Sequence, residues 1–288
     1  MKNFLSDNRA IITYIIKRLL IGVLVVLFAS LITFSLIHLA PGDPITEMLG
    51  VYYTPDLYAQ WRAYYGLDQP IPVQFFSFIA RAIQFDFGTS FTTGEEISTM
   101  ILTRLPNTLI LGIAAVFLTL VVGIPLGVYT ALKANTIFDN LSRITSLGVL
   151  SLPNFWWALL LVYVFSITFR LLPVQGMGMP PDIQHLILPS VALASAQIAV
   201  TSRLVRATML EELTKDYIRT ARAKGLSERT VMFKHALRNA LPIIITDIGH
   251  RAVMTLIGGA VIIEVVFAWP GMGRLMIQSF LDLDYPLI

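Results

Sequence analysis

Residues 19–37, 105–132 and 144–169 contain no Asp, Glu, Lys or Arg. A helix needs about 20 apolar residues to cross the hydrocarbon core of a bilayer, and each of these runs approaches or exceeds that length. Two further stretches are apolar on balance but carry polar residues, so the pattern predicts five spans, at 19–39, 105–132, 144–169, 187–207 and 241–267. The expected fold class is an all-α polytopic membrane protein. Pro125, Pro153 and Pro189 lie inside spans and predict kinks, while Gly258, Gly259 and Ala260 predict close helix contact.

Composition agrees with lipid as the solvent. Hydrophobic residues make up 56% of the 288 and charged residues 14%, against about 25% charged in ordinary soluble domains. The run following Lys17 and Arg18 is longer than the apolar region of a signal peptide and no small-x-small cleavage site follows, so it reads as an uncleaved first span.

Charge then orients the spans. Fifteen of the 21 Lys and Arg residues fall in 1–18, 133–143 and 203–240, and five in 40–104, 170–186 and 268–288. The positive-inside rule makes the N-terminus and the 203–240 segment cytoplasmic. The opposite segment, 40–104, is acidic, with seven Asp and Glu against three Lys and Arg, and opens on the turn-forming PGDP of 41–44. DLYAQWRAYYGL (56–67) has helical spacing after Pro55, and Phe76, Ile79 and Ile83 share one face of a second amphipathic stretch. This folded extracytoplasmic insertion either rests on the outer membrane surface or packs on the spans.

The densest charge lies in DYIRTARAKGLSERTVMFKHALRNALP, 216–242, between two apolar segments. Tyr217, Ile218 and Ala221 form a short apolar edge, Gly225 interrupts, and Ser227 caps a second helix through Val231 and Leu237. The result is a basic helical hairpin at about 208–240. Composition alone reads it as a solvated loop that obeys the topology rule and touches anionic membrane lipid. Nucleic-acid binding has no other support in the sequence, since the positive charge follows topology.

Several chemistries have no residues to carry them. There is no cysteine for a disulfide, thiolate site or nucleophile, and no GxxxxGK[ST] phosphate loop. The two GMG triplets lack a dinucleotide-binding context. His38, His185, His235 and His250 are scattered without metal-ligand spacing. An enzyme and a metal site are therefore not expected. Asp247, Arg251 and Glu264 are costly within a span, about 2.5–3.5 kcal/mol each at a helix centre. Asp247 and Arg251, at i, i+4, neutralise one another in one reading, with Glu264 near the outer interface. In the other, this face lines a translocation path, with Asn154 and Gln197 as weaker candidates for the same lining, while Trp156 and Trp157 pack or anchor.

The hairpin resembles the cytoplasmic signature of binding-protein-dependent ABC importer permeases, an E-A-A motif followed by Gly and a later L-P. Here it reads Arg219-Thr220-Ala221, Gly225 and Leu237, with Arg238 at the expected Pro and Leu241-Pro242 four residues on. DYIRTARAKGLSE with HALRNAL is similar to the dipeptide, oligopeptide and nickel permease subfamily. HLAPGDP (38–44), GLDQPIPVQF (66–75), FDFGTSF (85–91), RLPNTL (104–109), GIPLGV (123–128), SLPNFWWALLL (151–161), HLILP (185–189) and GGAVIIEVVFAWPGMGRL (258–275) follow in that family's order.

The resemblance implies a type I ABC importer permease fold in the plasma (cell inner) membrane, with a permease core over 105–288. The family continues past DYPLI (284–288) into a sixth span, so the chain is expected to lack one helix. The implied partners are a second homologous permease, two ATPase subunits that bind ATP and Mg, and an extracytoplasmic solute-binding protein docking on outside loops including 40–104; this chain itself holds no cofactor. The implied coupling residues are Tyr217, Arg219, Thr220, Ala221, Arg222, Ala223, Lys224, Gly225, Leu226 and Ser227. Ala221 and Ala223 would leave room for an ATPase groove, and Arg219, Arg222 and Lys224 would pair with its acids. Di- and oligopeptides are the implied cargo, nickel or a nickel chelate the alternative. A proton-coupled carrier using Glu264 or Asp247 as relay, and a non-transporting scaffold, are the rival classes.

Overall fold

The structure, a computed structural model, describes residues 2–39, 42–178 and 181–288, with the side chains of 2–10, Glu47 and Ile257 outside the description. Pro41 of the PGDP turn therefore lies outside the described residues. The described residues are helical apart from turns and one isolated bridge, Thr89 with Glu96. They divide into two units, 1–99 with 279–288, and 100–278.

In the first unit, α1 (Lys2–Leu39) runs as one helix whose apolar side chains from Ile11 to Leu36 are mostly exposed. Its 11–39 part is long and apolar enough to cross a membrane. The segment after it is folded, as its turn chemistry and helical spacing predict. Asp43 caps α2 (Pro44–Leu49), accepting from the amides of Ile45 and Thr46, and Thr54 caps α3 (Pro55–Tyr64) with Pro55 in the first turn. Tyr58 donates to Asp43 at 2.6 Å and Arg62 donates to Tyr58 at 2.8 Å, which joins the two helices. In α4 (Ile71–Ile83) Phe75 and Phe78 meet the ring of Phe34 on α1, while Phe76 and Ile83 are exposed. The buried carboxylate of Asp284 accepts from the Ser90 hydroxyl at 2.5 Å and the Phe91 amide at 3.0 Å.

The second unit is organised around α9 (Ile183–Glu212). Its Ser, Thr and Ala residues let other helices come close. Gly123 and Gly127 face it, and a Cβ on Gly127 would lie 2.6 Å from the Ser202 carbonyl oxygen. Two apolar clusters sit along it. One joins α9 to α5 (Ile97–Leu118), α8 (Asn154–Leu161) and α13 (Ala260–Val266) through Leu111, Ala158, Leu193 and Ile263. The other joins α9 to α6 (Ile124–Leu132), α10 (Asp216–Ala223) and α12 (Arg238–Met254) through Val128, Val205, Ile218 and Ile244.

The apolar runs meet different fates. α5 and α6 form a continuous 97–132 span through a π turn at Thr119–Gly123, with Pro125 at the start of α6. The run at 144–169 is not one rod: α7 (Ile137–Ser151) and α8 meet at 108°. Pro153 has no amide hydrogen and forces Leu152 into extended backbone, φ −92 and ψ 137, so its expected kink is a full break. Pro189, by contrast, lies inside an unbroken α9. α12 and α13, joined by a π turn at Thr255–Gly259, make a continuous helix over 238–266, about 40 Å long. On length and apolarity, three helices qualify as spans among the described residues, or four with the bent pair; the charged 238–266 helix is not among them. Beyond it, α14 (Met272–Leu281) follows a tight turn.

Candidate functional site

The hairpin follows α9 directly. α10 is short and strongly two-sided, with Ile218 (0% exposed) and Ala221 (5%) turned into the second apolar cluster against Val231, Met232 and Ala236. At i, i+3 they form one buried stripe. Ala221 is therefore a foot of the helix, and its small side chain serves the chain's own packing; of the two alanines only Ala223 faces outward.

A Schellman closure ends α10. The Gly225 amide donates to the Arg222 carbonyl at 2.9 Å and the Leu226 amide to the Ala221 carbonyl at 3.3 Å, with Gly225 at φ +74. Space is not the constraint there, since no atom lies within 4 Å of a Cβ built on Gly225; the backbone angle is. Ser227 then caps α11 (Glu228–Thr230), accepting from the Thr230 amide at 3.4 Å, and α11 runs into a π segment at Val231–Leu237 before α12.

Arg222 spans this turn. Its Nε and Nη2 donate to the two carboxylate oxygens of Glu228 at 2.8 and 3.2 Å, a bidentate clasp between α10 and α11. Those hydrogen bonds hold the Glu228 carboxyl below its usual value and raise the Arg222 guanidinium. Arg222 is thus already paired within the chain. Arg219 lies 3.5 Å from Asp216, both well exposed, and the Thr220 hydroxyl donates to the Asp216 carbonyl. Tyr217 donates to Glu212. Lys224 makes no ion pair among the described residues. The outward surface therefore combines Tyr217, Ala223, Leu226 and Phe233 with the cations of Arg219, Lys224 and Arg229.

The base of the hairpin contains a pair that sequence reading missed. Arg206 on α9 donates from Nε and Nη2 to Asp139 on α7, both at 2.6 Å, and Asp139 is fully buried. Asp139 also accepts from the Asn135 amide at 2.9 Å, fixing the turn before α7. The one available signal was that Asp139 is the only acid between 97 and 181.

The five candidate path residues are dispersed. Apart from Arg251 Nε with Asp247 at 2.8 Å, no hydrogen bond or ion pair joins them among the described residues. Asn154 is exposed at the start of α8, just beyond the Pro153 break. Gln197 donates to Thr255 at 2.6 Å, while its Oε1 and the Thr201 hydroxyl, both buried, have no partner among the described residues.

Glu264 is 0% exposed, and both of its carboxylate oxygens are hydrogen-bonded. Oε1 accepts from the Thr108 hydroxyl at 2.6 Å and Oε2 from the Arg274 amide at 3.0 Å, and Thr108 in turn accepts from the Met272 amide at 2.8 Å. A Cβ on Gly271 would overlap this carboxylate. Trp269 Nε1 donates to the Asn107 carbonyl at 3.0 Å, and Asn107 Nδ2 to the Pro270 carbonyl at 2.8 Å. Glu264 is the centre of a lock that fixes the FAWPGMGR turn (267–274) on α5.

With this geometry in place, comparisons give the lineage. Residues 123–288 match the family described as binding-protein-dependent transport system inner membrane component, and 11–112 match the N-terminal model of such membrane components. Among curated relatives, the chain is 40% identical over 283 residues to the oligopeptide transport system permease protein AppB of Bacillus subtilis, covering 96% of this chain and 89% of that one. It is 38% identical over 305 residues to the di/tripeptide transport system permease protein DppB of Pseudomonas aeruginosa, covering 96% and 90%. A solved structure of the MetNI methionine ABC transporter in inward-facing conformations aligns with TM-score 0.51 and 20% identity over 65% of this chain and 86% of that one, a likeness of fold. The chain belongs to the binding-protein-dependent transport system inner membrane components, the permease subunits of ABC importers.

Proposed function

We propose that this chain is the permease subunit through which an ABC importer moves di- or oligopeptides across the cell inner membrane, and that α10 with its Gly225 turn is where a separate ATPase subunit grips it. A second, related permease completes the path, two ATPase chains bind ATP and Mg, and a solute-binding protein delivers cargo to the face bearing the folded 40–104 segment. The N-terminus and hairpin lie in the cytoplasm, as the distribution of Lys and Arg implies. The peptide cargo rests on the names of the relatives in Bacillus subtilis and Pseudomonas aeruginosa.

The observation that carries the coupling role is the two-sidedness of α10. Its buried face roots it through Ile218 and Ala221 in the same cluster as α6, α9 and α12, and its other face is free and basic. Force applied to the free face therefore reaches three helices of the bundle through close-packed contacts. No observation favours nickel cargo, and a buried, hydrogen-bonded Glu264 is poorly placed for a proton relay.

The test is reconstitution of this chain with its partner permease, ATPases and binding protein in liposomes. Peptide uptake should require ATP inside and loaded binding protein outside, and should vanish with Gly225→Val while the complex still inserts. Uptake driven by a pH gradient without the ATPases overturns the reading.

A further inference from the structure

We propose that the outer face of α6, α7 and α9 holds one anionic phospholipid, its headgroup on Arg143 and Arg203 and one acyl chain in the adjoining groove. The groove has a volume of about 350 Å³ and is lined mainly by apolar side chains, Leu126, Phe138, Leu141, Val149 and Ile198. Ser142 and Ser146 line it too, and the same two serines line a small cleft with Thr130, Ser202, Arg143, Arg203 and Arg206. An apolar corridor therefore opens directly onto a basic, hydroxyl-bearing mouth.

The charges at the mouth are unequal. Arg206 is committed to Asp139 through two 2.6 Å hydrogen bonds, and that pair cancels. Among the described residues Arg143 donates to the neutral Asn140 side chain, at 3.1 Å, and acts on Asp139 only through space, as a weaker influence than Arg206, while Arg203 is exposed with no ion-pair partner. The Ser142 hydroxyl makes no hydrogen bond among the described residues. Two uncompensated guanidiniums beside a hydroxyl favour a phosphate, and guanidinium matches phosphate oxygens in a fork. A free anion would leave the groove unfilled, whereas a diacyl phosphate places its charge at the mouth and its tail in the groove. Basic pockets between membrane helices recognise anionic headgroups in this way. A second permease seated on the same face would have to supply acids to both arginines or leave their charges buried and unpaired.

The assembled transport complex, purified in mild detergent, tests this by native mass spectrometry with dioleoylphosphatidylglycerol and dioleoylphosphatidylcholine. The expected result is selective retention of the phosphatidylglycerol. Arg143→Gln and Arg203→Gln should each weaken retention about fivefold, and the double variant about 25-fold, at roughly one favourable charge contact apiece. Val149→Trp, which fills the groove and leaves the charges, should also weaken it. All three arginine variants should keep the wild-type unfolding temperature, because neither side chain is buried or paired with an acid. Equal retention of the two lipids, an unchanged double variant, displacement by inorganic phosphate alone, or no lipid bound in the complex would each overturn the proposal.

Discussion

Thr108 donates its hydroxyl to Glu264 from 156 positions earlier in the chain, at 2.6 Å, and takes the Met272 amide in return. One hydroxyl thus links α5, α13 and the start of α14. A carboxylate buried in this way is tolerated because donors meet both of its oxygens.

Removing that acceptor should be costly. Glu264→Ala leaves the Thr108 hydroxyl and the Arg274 amide short of a partner and opens a cavity, for a loss of about 3 kcal/mol or more. Glu264→Gln keeps one acceptor and should lose less. Gly271→Ala drives a methyl into the carboxylate and should behave like the alanine variant of Glu264. Unfolding temperatures of the purified complex order the three. If Glu264→Gln instead stays fully stable and abolishes transport, the lock is not its main role.

The Asp139–Arg206 pair makes a different prediction. Removing one partner strands a buried charge and costs about 3–5 kcal/mol, so Arg206→Met should destabilise strongly. Arg206→Met combined with Asp139→Leu removes both charges and should recover most of that loss. A thermal double-mutant cycle measures the difference.

Across the Gly225 turn, reversal of the clasp is the informative change. Arg222→Glu should loosen the hairpin and reduce coupled ATP turnover, and adding Glu228→Arg should restore much of it. Both groups are largely open to solvent, which screens the pair, so global stability should hardly move and amide exchange at Leu226 and Thr230 is the sensitive readout. Failure of the reversed pair to restore protection would assign Arg222 to the partner instead.

The same clasp sets a pH dependence. The Glu228 carboxyl lies below its ordinary value of 4.5 in the folded hairpin. A depressed carboxyl adds stability that is present above the unfolded value and lost as pH falls through the folded one. Hairpin protection should therefore be flat at neutral pH and fall only in the acid range below 4.5. Glu228→Gln should abolish that acid limb.

At Gly225 itself a β-branched residue must adopt φ +74, at a cost of about 1–2 kcal/mol. Gly225→Val should reshape the end of α10 and uncouple uptake from ATP turnover, while Gly225→Asn, which tolerates left-handed angles, should retain most activity. Equal uptake by wild type and the valine variant would detach this turn from coupling.

What the sequence revealed and what it hid divide along chain separation. The Gly225 turn, the Ser227 cap and the Ile218–Ala221 edge are local devices, each written within four residues, and the structure places them as the pattern implied. Tyr217 left that edge because its phenol reaches Glu212 instead. The break at Pro153 was legible as a kink; its size was not, since 108° depends on what α7 and α8 pack against. Asp139 and Glu264 show the limit. Their partners lie 67 and 156 residues away, and nothing nearby in sequence tells a buried acid with a distant donor from a carboxylate lining a path.

α9 runs for 30 residues without a break, about 45 Å, through both apolar clusters. It acts as a single stiff beam, so the two ends of the bundle cannot shift independently. Pivoting it by about 5° carries its tip roughly 4 Å sideways over that length. A modest push where Val205 and Met209 meet Ile218 therefore becomes an atom-sized displacement near Leu188, at the far end of the bundle.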